Sequence, residues 1–91
     1  MLRRTRFRRH SFSMADRLLA LLASLMEVNA GEMRDDSTSD DIEKWDSMRE
    51  LMLASMLESE FGIVLRVDEL ENLHSVREIR SVLARHGISS P

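Results

Sequence analysis

Residues 44–61 read KWDSMRELMLASMLESEF. The apolar residues of this stretch recur at helical spacing, which predicts a helix from about Ser47 to Glu60. Phe61-Gly62 ends it, because glycine tolerates a left-handed exit. At about 100° per residue, Leu53, Ala54, Leu57 and Phe61 share one side of this helix. Met48, Met52 and Met56, spaced i, i+4, i+8, lie on another. Only one stripe of a bundle helix can face the core, so a helix apolar on two sides is either fully enclosed or offers a face to a partner. Methionines also fill irregular gaps in cores, and the sequence leaves both roles open.

Ser47 stands at the head of this helix. Ser47 and Glu50 have the spacing of a capping box, and most serines so placed only satisfy unpaired N–H groups. Asp46 can cap the same helix, which would leave the Ser47 hydroxyl available at its first turn. A phosphodiester attached there would sit where a helix N-terminus favours negative charge.

Working outward, Leu18, Leu21, Leu22 and Leu25 fall at i, i+3, i+4, i+7 and predict an amphipathic helix from Met14 to about Val28, with Ser13 and Asp16 as its cap. The following NAGEMRDDSTSDDIEKW is long and polar for a connection in so small a domain, with Ile42 and Trp45 as its expected anchors. Beyond Gly62, VDELENL has room for one or two helical turns. A last helix is predicted from Ser75 to about Arg85. Ser75 and Glu78 form its capping box, Val76, Ile79, Val82 and Leu83 its inner stripe, and Gly87 its end. The fold class is all-α: a four-helix bundle of three main helices and one short one, with a long first loop.

Ninety-one residues make one small domain, too short for an enzyme with a deep cleft. Cysteine is absent, so disulfides, thiolate metal sites and cysteine nucleophiles are excluded; a cytoplasmic setting is the expectation. The longest apolar run, LLALLASLM, is far too short to span a membrane. Residues 1–13 hold five arginines and no acid, so the rest of the chain keeps all 16 acidic side chains and eight of the 13 basic ones. That acidic balance disfavours nucleic acid as a partner. Residues 1–13 are expected to be a disordered leader without a role, or a misplaced start, because Met14 opens a sensible domain; targeting, RNA binding and membrane binding are the alternatives. Residues 14–88 are the domain and 89–91 a disordered tail. No metal is expected. DDSTSDD lacks the glycine and closing glutamate of a calcium loop and reads as a solvated charge run. His10, His74 and His86 lack ligand spacing, and His86 reads as a complement to the last helix's dipole.

At Asp46-Ser47-Met48 the chain resembles the acyl carrier protein family, whose attachment motif is most often Asp-Ser-Leu. The resemblance covers about residues 16–87. Phe61, fourteen residues after the serine, matches the phenylalanine that closes the family's second helix. LESEFGI and LENLHSVREI, with Ser75 opening the last helix, are similar to the family's pattern in the expected spacing.

The resemblance implies a non-catalytic carrier. A phosphopantetheinyl transferase would use coenzyme A and magnesium to attach 4′-phosphopantetheine to Ser47, with Asp46 positioning that serine. The arm's thiol would hold an acyl group as a thioester for acyl-loading and acyl-transfer enzymes, and the protein would act as a monomer. Met48, Leu51, Met52 and Glu58 are the candidate docking face; Leu53, Leu57, Leu65, Leu70 and Leu73 are candidates for the acyl-chain lining, although each also suits an ordinary core. Fatty-acid carriers usually have acids two and five positions after the serine, where this chain has Arg49 and Met52. Ser59 stands where an acid is common, while Glu58 and Glu60 are retained. Docking is therefore expected to be more apolar and less salt-sensitive, which favours specialised polyketide, lipid or sugar acylation over housekeeping fatty-acid synthesis. Asp-Ser-Met is also similar to the motif of D-alanyl carriers. Peptidyl carriers have a double glycine before the serine, where Lys44-Trp45 stands here. The rival from another class is an unmodified helical interaction module that uses the same methionine face.

Overall fold

A computed structural model describes residues 14–88. The leader, Ser13 as a helix cap, His10 and the tail all lie outside the described residues. Three α-helices run in order: α1 (Met14–Met26), α2 (Ser47–Phe61) and α3 (Val76–Arg85). Two 3₁₀ turns, Ala30–Glu32 and Val67–Glu71, punctuate the connections. The fold is the all-α, acyl-carrier-like one that the sequence predicts. The short fourth helix is the 3₁₀ turn at Val67–Glu71, of the short kind that commonly serves as a connector.

Each helix contributes its apolar stripe to one core. Leu18, Leu22, Leu25 and Met26 enter from α1, Leu53, Ala54 and Leu57 from α2, and Val76, Ile79, Val82 and Leu83 from α3. Complete burial of a leucine such as Leu53 stabilises by about 1.5–3 kcal/mol. Gly62 leaves α2 in the left-handed region at φ 66°, with its N–H donating to the Glu58 carbonyl. Gly87 does the same after α3 at φ 86°. Glycine enters this region without the penalty that a Cβ imposes.

Two charged clasps hold α1 antiparallel to α2. At the far end, Arg17 Nη2 donates to the Glu60 carbonyl (3.1 Å) and carboxylate (2.6 Å), and its guanidinium lies 5.1 Å from the centre of the Phe61 ring. At the near end, Arg49 Nη1 donates to the Leu25 carbonyl at the close of α1 (2.5 Å), and Nη2 lies 3.3 Å from Glu27 Oε2. A cation at a helix C-terminus answers both the unpaired carbonyls and the dipole.

The long loop is a folded element. Met33, Ile42 and Trp45 are buried, and the indole N–H of Trp45 donates to the Leu73 carbonyl at 3.0 Å. The DDSTSDD run is more than the solvated charge run expected. Ser37 is buried, and its hydroxyl accepts from Arg34 N–H (3.0 Å) while its carbonyl accepts from Val76 N–H (3.0 Å). Ser39 N–H donates to the His74 carbonyl (2.7 Å), and Asp35 pairs with Arg80 (2.6 Å). These bonds stitch the loop to the start of α3. They fix the end of the bundle from which Ser47 emerges.

Candidate attachment site

Trp45 sets the geometry. Buried and bonded to Leu73, it pins the chain two residues before Ser47. Asp46 then adopts extended backbone (φ −117°, ψ −177°), and its Oδ1 accepts the Arg49 N–H at 2.9 Å. That is the N-cap of α2. Ser47 follows as the first helical residue, exposed, and no hydrogen bond among the described residues engages its hydroxyl. Glu50, the other half of the expected capping box, turns to His74 instead, with Oε2 2.7 Å from Nδ1. The cap is thus Asp46, and the serine oxygen faces solvent.

The charged side chains around this serine are engaged by the protein itself. Glu27 receives Lys44 Nζ at 2.6 Å as well as Arg49. The Lys44 hydrogen bond, followed by the charges of Lys44 and Arg49, holds the Glu27 carboxyl below its ordinary value of 4.5. His74 is raised above 6.5, chiefly by its hydrogen bond to Glu50, against the opposing effect of partial burial. Glu58, proposed from the sequence for docking, is half-buried, and its Oε2 accepts the Leu65 N–H at 2.8 Å. Apolar side chains are what α2 turns outward near Ser47: Met48 is 70% exposed, Leu51 68% and Met52 47%. Met56, the third methionine of the series, packs half-buried against the core. The two roles open to the methionines therefore divide along the helix.

Of the candidate lining leucines, Leu53, Leu57, Leu65 and Leu73 are buried in the core, and Leu70 stands at its edge, 37% exposed. A hollow of about 460 Å³ opens between the end of α1 and the loop, lined by Val28, Ser37, Ile42 and several charged residues. A second hollow of about 250 Å³ lies between Asn72 and α3. Neither includes any of the five leucines.

Glu69 was not legible in the sequence. It is 2% exposed, accepts Arg66 N–H at 2.9 Å, and lies 2.8 Å from His86 Nε2. The Arg66 N–H and then His86 hold its carboxyl below the ordinary range. His86 therefore acts on a buried carboxylate, beyond the dipole role expected of it. The Arg66–Glu69 spacing is that of a capping box, hidden because arginine stands where serine or threonine would announce it.

Together these features place a solvent-facing serine at the start of α2 beside an exposed apolar face. The chain matches the family model described as the phosphopantetheine attachment site over residues 16–83, and it belongs to that family. Carriers of this family hold 4′-phosphopantetheine covalently, and their domains are in general not catalysts. No curated protein and no solved structure matches the chain. Among the described residues, no helix is long and apolar enough to cross a membrane.

Proposed function

We propose that Ser47 is the residue that receives 4′-phosphopantetheine, and that the protein presents an acyl thioester to partner enzymes of a lipid, polyketide or other acyl-transfer pathway. The observation that carries this reading is the exposed Ser47 hydroxyl, left without a structural duty because Asp46 supplies the cap. The residues suit the group. A phosphodiester on Ser47 would lie at the start of a fifteen-residue helix, where the dipole favours negative charge. When bound, the group supplies a flexible arm ending in a thiol.

The chain's own residues orient and dock. In a transferase, the Ser47 hydroxyl would be the nucleophile toward coenzyme A, its proton passing to a base of that enzyme as the new serine–phosphorus ester forms and adenosine bisphosphate leaves. Asp46 fixes the turn that presents Ser47. Met48, Leu51 and Met52 form the docking face. Glu58 contributes less, since a backbone N–H already occupies its carboxylate. Leu53, Leu57, Leu65 and Leu73, with Leu70 at the rim, would have to part to shelter a cargo. The setting is cytoplasmic and the carrier monomeric. An aminoacyl cargo of the D-alanyl type is the second possibility.

Incubation with coenzyme A, magnesium and a broad-specificity transferase, read by intact mass, tests the reading. The expected result is a gain of one phosphopantetheinyl group, lost in Ser47→Ala. Failure with competent transferases from several pathways would leave the unmodified interaction module as the better description.

A further inference from the structure

We infer that Met48 and Met52 are an oxidation-sensitive pair, and that conversion of their thioethers to sulfoxides switches off docking at Ser47 while the fold persists. The inference rests on the proposed attachment at Ser47 and adds a control to that site. Its basis is a contrast among the methionines. Met26 and Met33, 0% and 2% exposed, are core side chains shielded from solvent. Met48 and Met52 stand on the outside of α2, one helical turn apart on one face, within five residues of Ser47. Susceptibility to oxidation follows exposure. A dissolved peroxide therefore reaches these two sulfurs before those that hold the core.

The chemistry is a two-electron oxygen transfer. The thioether sulfur attacks one peroxide oxygen, the O–O bond breaks, a sulfur–oxygen bond forms, and hydrogen peroxide leaves as water. The product is polar where the thioether was apolar and flexible. An enzyme that closes over Met48, Leu51 and Met52 would then bury a sulfoxide oxygen without a partner, which is unfavourable. Leucine is close to methionine in size and apolarity and lacks the reactive sulfur, so an apolar surface alone does not require this pair. Reduction by a sulfoxide reductase, with two thiols becoming a disulfide and the oxygen leaving as water, restores the face.

Arg49, Glu50 and Glu58 make the switch local. All three are engaged by other parts of the protein, so they leave this face apolar and join α2 to its neighbours. Oxidation of Met48 and Met52 breaks none of those bonds.

The experiment treats the full unmodified chain with graded hydrogen peroxide. Site-by-site peptide mass spectrometry gives the order of oxidation, circular dichroism the fold, and a transferase assay the modification of Ser47. We expect Met48 and Met52 to oxidise well before Met26 and Met33, with helicity unchanged. The kcat/KM for Ser47 modification should fall roughly tenfold, as for burial of an unpartnered polar group, and recover with sulfoxide reductase. In Met48→Leu/Met52→Leu, whatever its starting rate, the ratio of rates after and before peroxide should stay near one. Oxidation of the core methionines first, unfolding in step with oxidation, or an unaltered rate on the fully oxidised pair would each overturn the switch. A chain that no transferase modifies, oxidised or not, would overturn the attachment reading and the switch with it, whereas an oxidised chain modified at full speed overturns the switch alone.

Discussion

The division of labour between Asp46 and Ser47 can be tested by removing each side chain in turn. Asp46 Oδ1 accepts the Arg49 N–H at 2.9 Å, a full cap bond at the start of a fifteen-residue helix. Loss of such a cap costs about 1 kcal/mol. The carboxylate also faces the positive end of the helix dipole, which contributes about 0.3–1 kcal/mol more. Asp46→Ala should therefore destabilise the domain by about 1–2 kcal/mol. Ser47 has no hydrogen bond to lose among the described residues, and alanine is the better helix former by up to about 0.7 kcal/mol, so Ser47→Ala should be neutral or slightly stabilising. Asp46→Asn keeps the cap bond and gives up only the charge, so it should fall between the two.

Urea unfolding followed by Trp45 fluorescence reads these differences directly. Trp45 is the only tryptophan, and it is buried. An unchanged slope with a shifted midpoint assigns the change to stability. In thermal unfolding, 1 kcal/mol corresponds to about 4–8 °C for a domain of this size. If Ser47→Ala costs as much as Asp46→Ala, the serine oxygen is the cap and the central geometric argument for Ser47 as the attachment point collapses.

Three further perturbations probe the frame around the site. Trp45→Phe removes the donor to the Leu73 carbonyl and leaves that buried oxygen unpaired, so urea unfolding followed by circular dichroism should show a loss of about 1–3 kcal/mol. Gly62→Ala places a Cβ at φ 66° with nothing within 4 Å of it, so the cost should be backbone strain alone, about 1–2 kcal/mol in the same assay. Stability should fall on both sides of neutral pH. The lowered carboxyls of Glu27 and Glu69 stabilise above their ordinary value of 4.5, and this is lost as pH falls through their folded values below it. The raised His74 stabilises fully below 6.5, and this is lost as pH rises through its folded value above 6.5. Urea midpoints measured across pH should show His74→Gln flattening the alkaline side and Glu27→Gln the acidic side.

What could be read in the sequence is what repeats or stands next to its partner. The stripes of α1 and α3, the exits at Gly62 and Gly87, and the Ser75 cap all have local signatures, and the structure reproduces each. Glu78 departs slightly, reaching the His74 N–H at 2.8 Å, one residue further back than a capping box requires. Ile42 and Trp45 stood out as apolar residues in a polar run. Met33 and Ser37 did not; Ser37 is buried where the loop meets α3, its carbonyl accepting from Val76 N–H, 39 residues away in the chain. Glu69 was hidden for the same reason, since nothing in its neighbourhood announces His86. At the site, helical spacing showed that α2 had apolar surface to spare; of the residues named from it for docking, Met48, Leu51 and Met52 are exposed, whereas the half-buried Glu58 carboxylate bonds to Leu65, a partner that spacing could not show.

The packing of α2 against α1 accounts for Arg49, while nothing in the structure explains Met52. An acid two residues after Ser47 would meet the C-terminus of α1, where the dipole and the unpaired carbonyls favour a cation; arginine there reaches Leu25 and Glu27 and closes the two helices together. Glu50 and Glu58 likewise work inward, one on His74 and the other on Leu65. With these charges held by the fold, the first turns of α2 turn Met48, Leu51 and Met52 outward, and these three make up the docking face we propose. Charges already compensated within the protein contribute little to long-range steering, and salt screens chiefly exposed charges. The recognition proposed at Ser47 therefore rests on apolar fit, and Arg49, Glu50 and Glu58, by bonding inward, leave that face apolar while joining α2 to its neighbours.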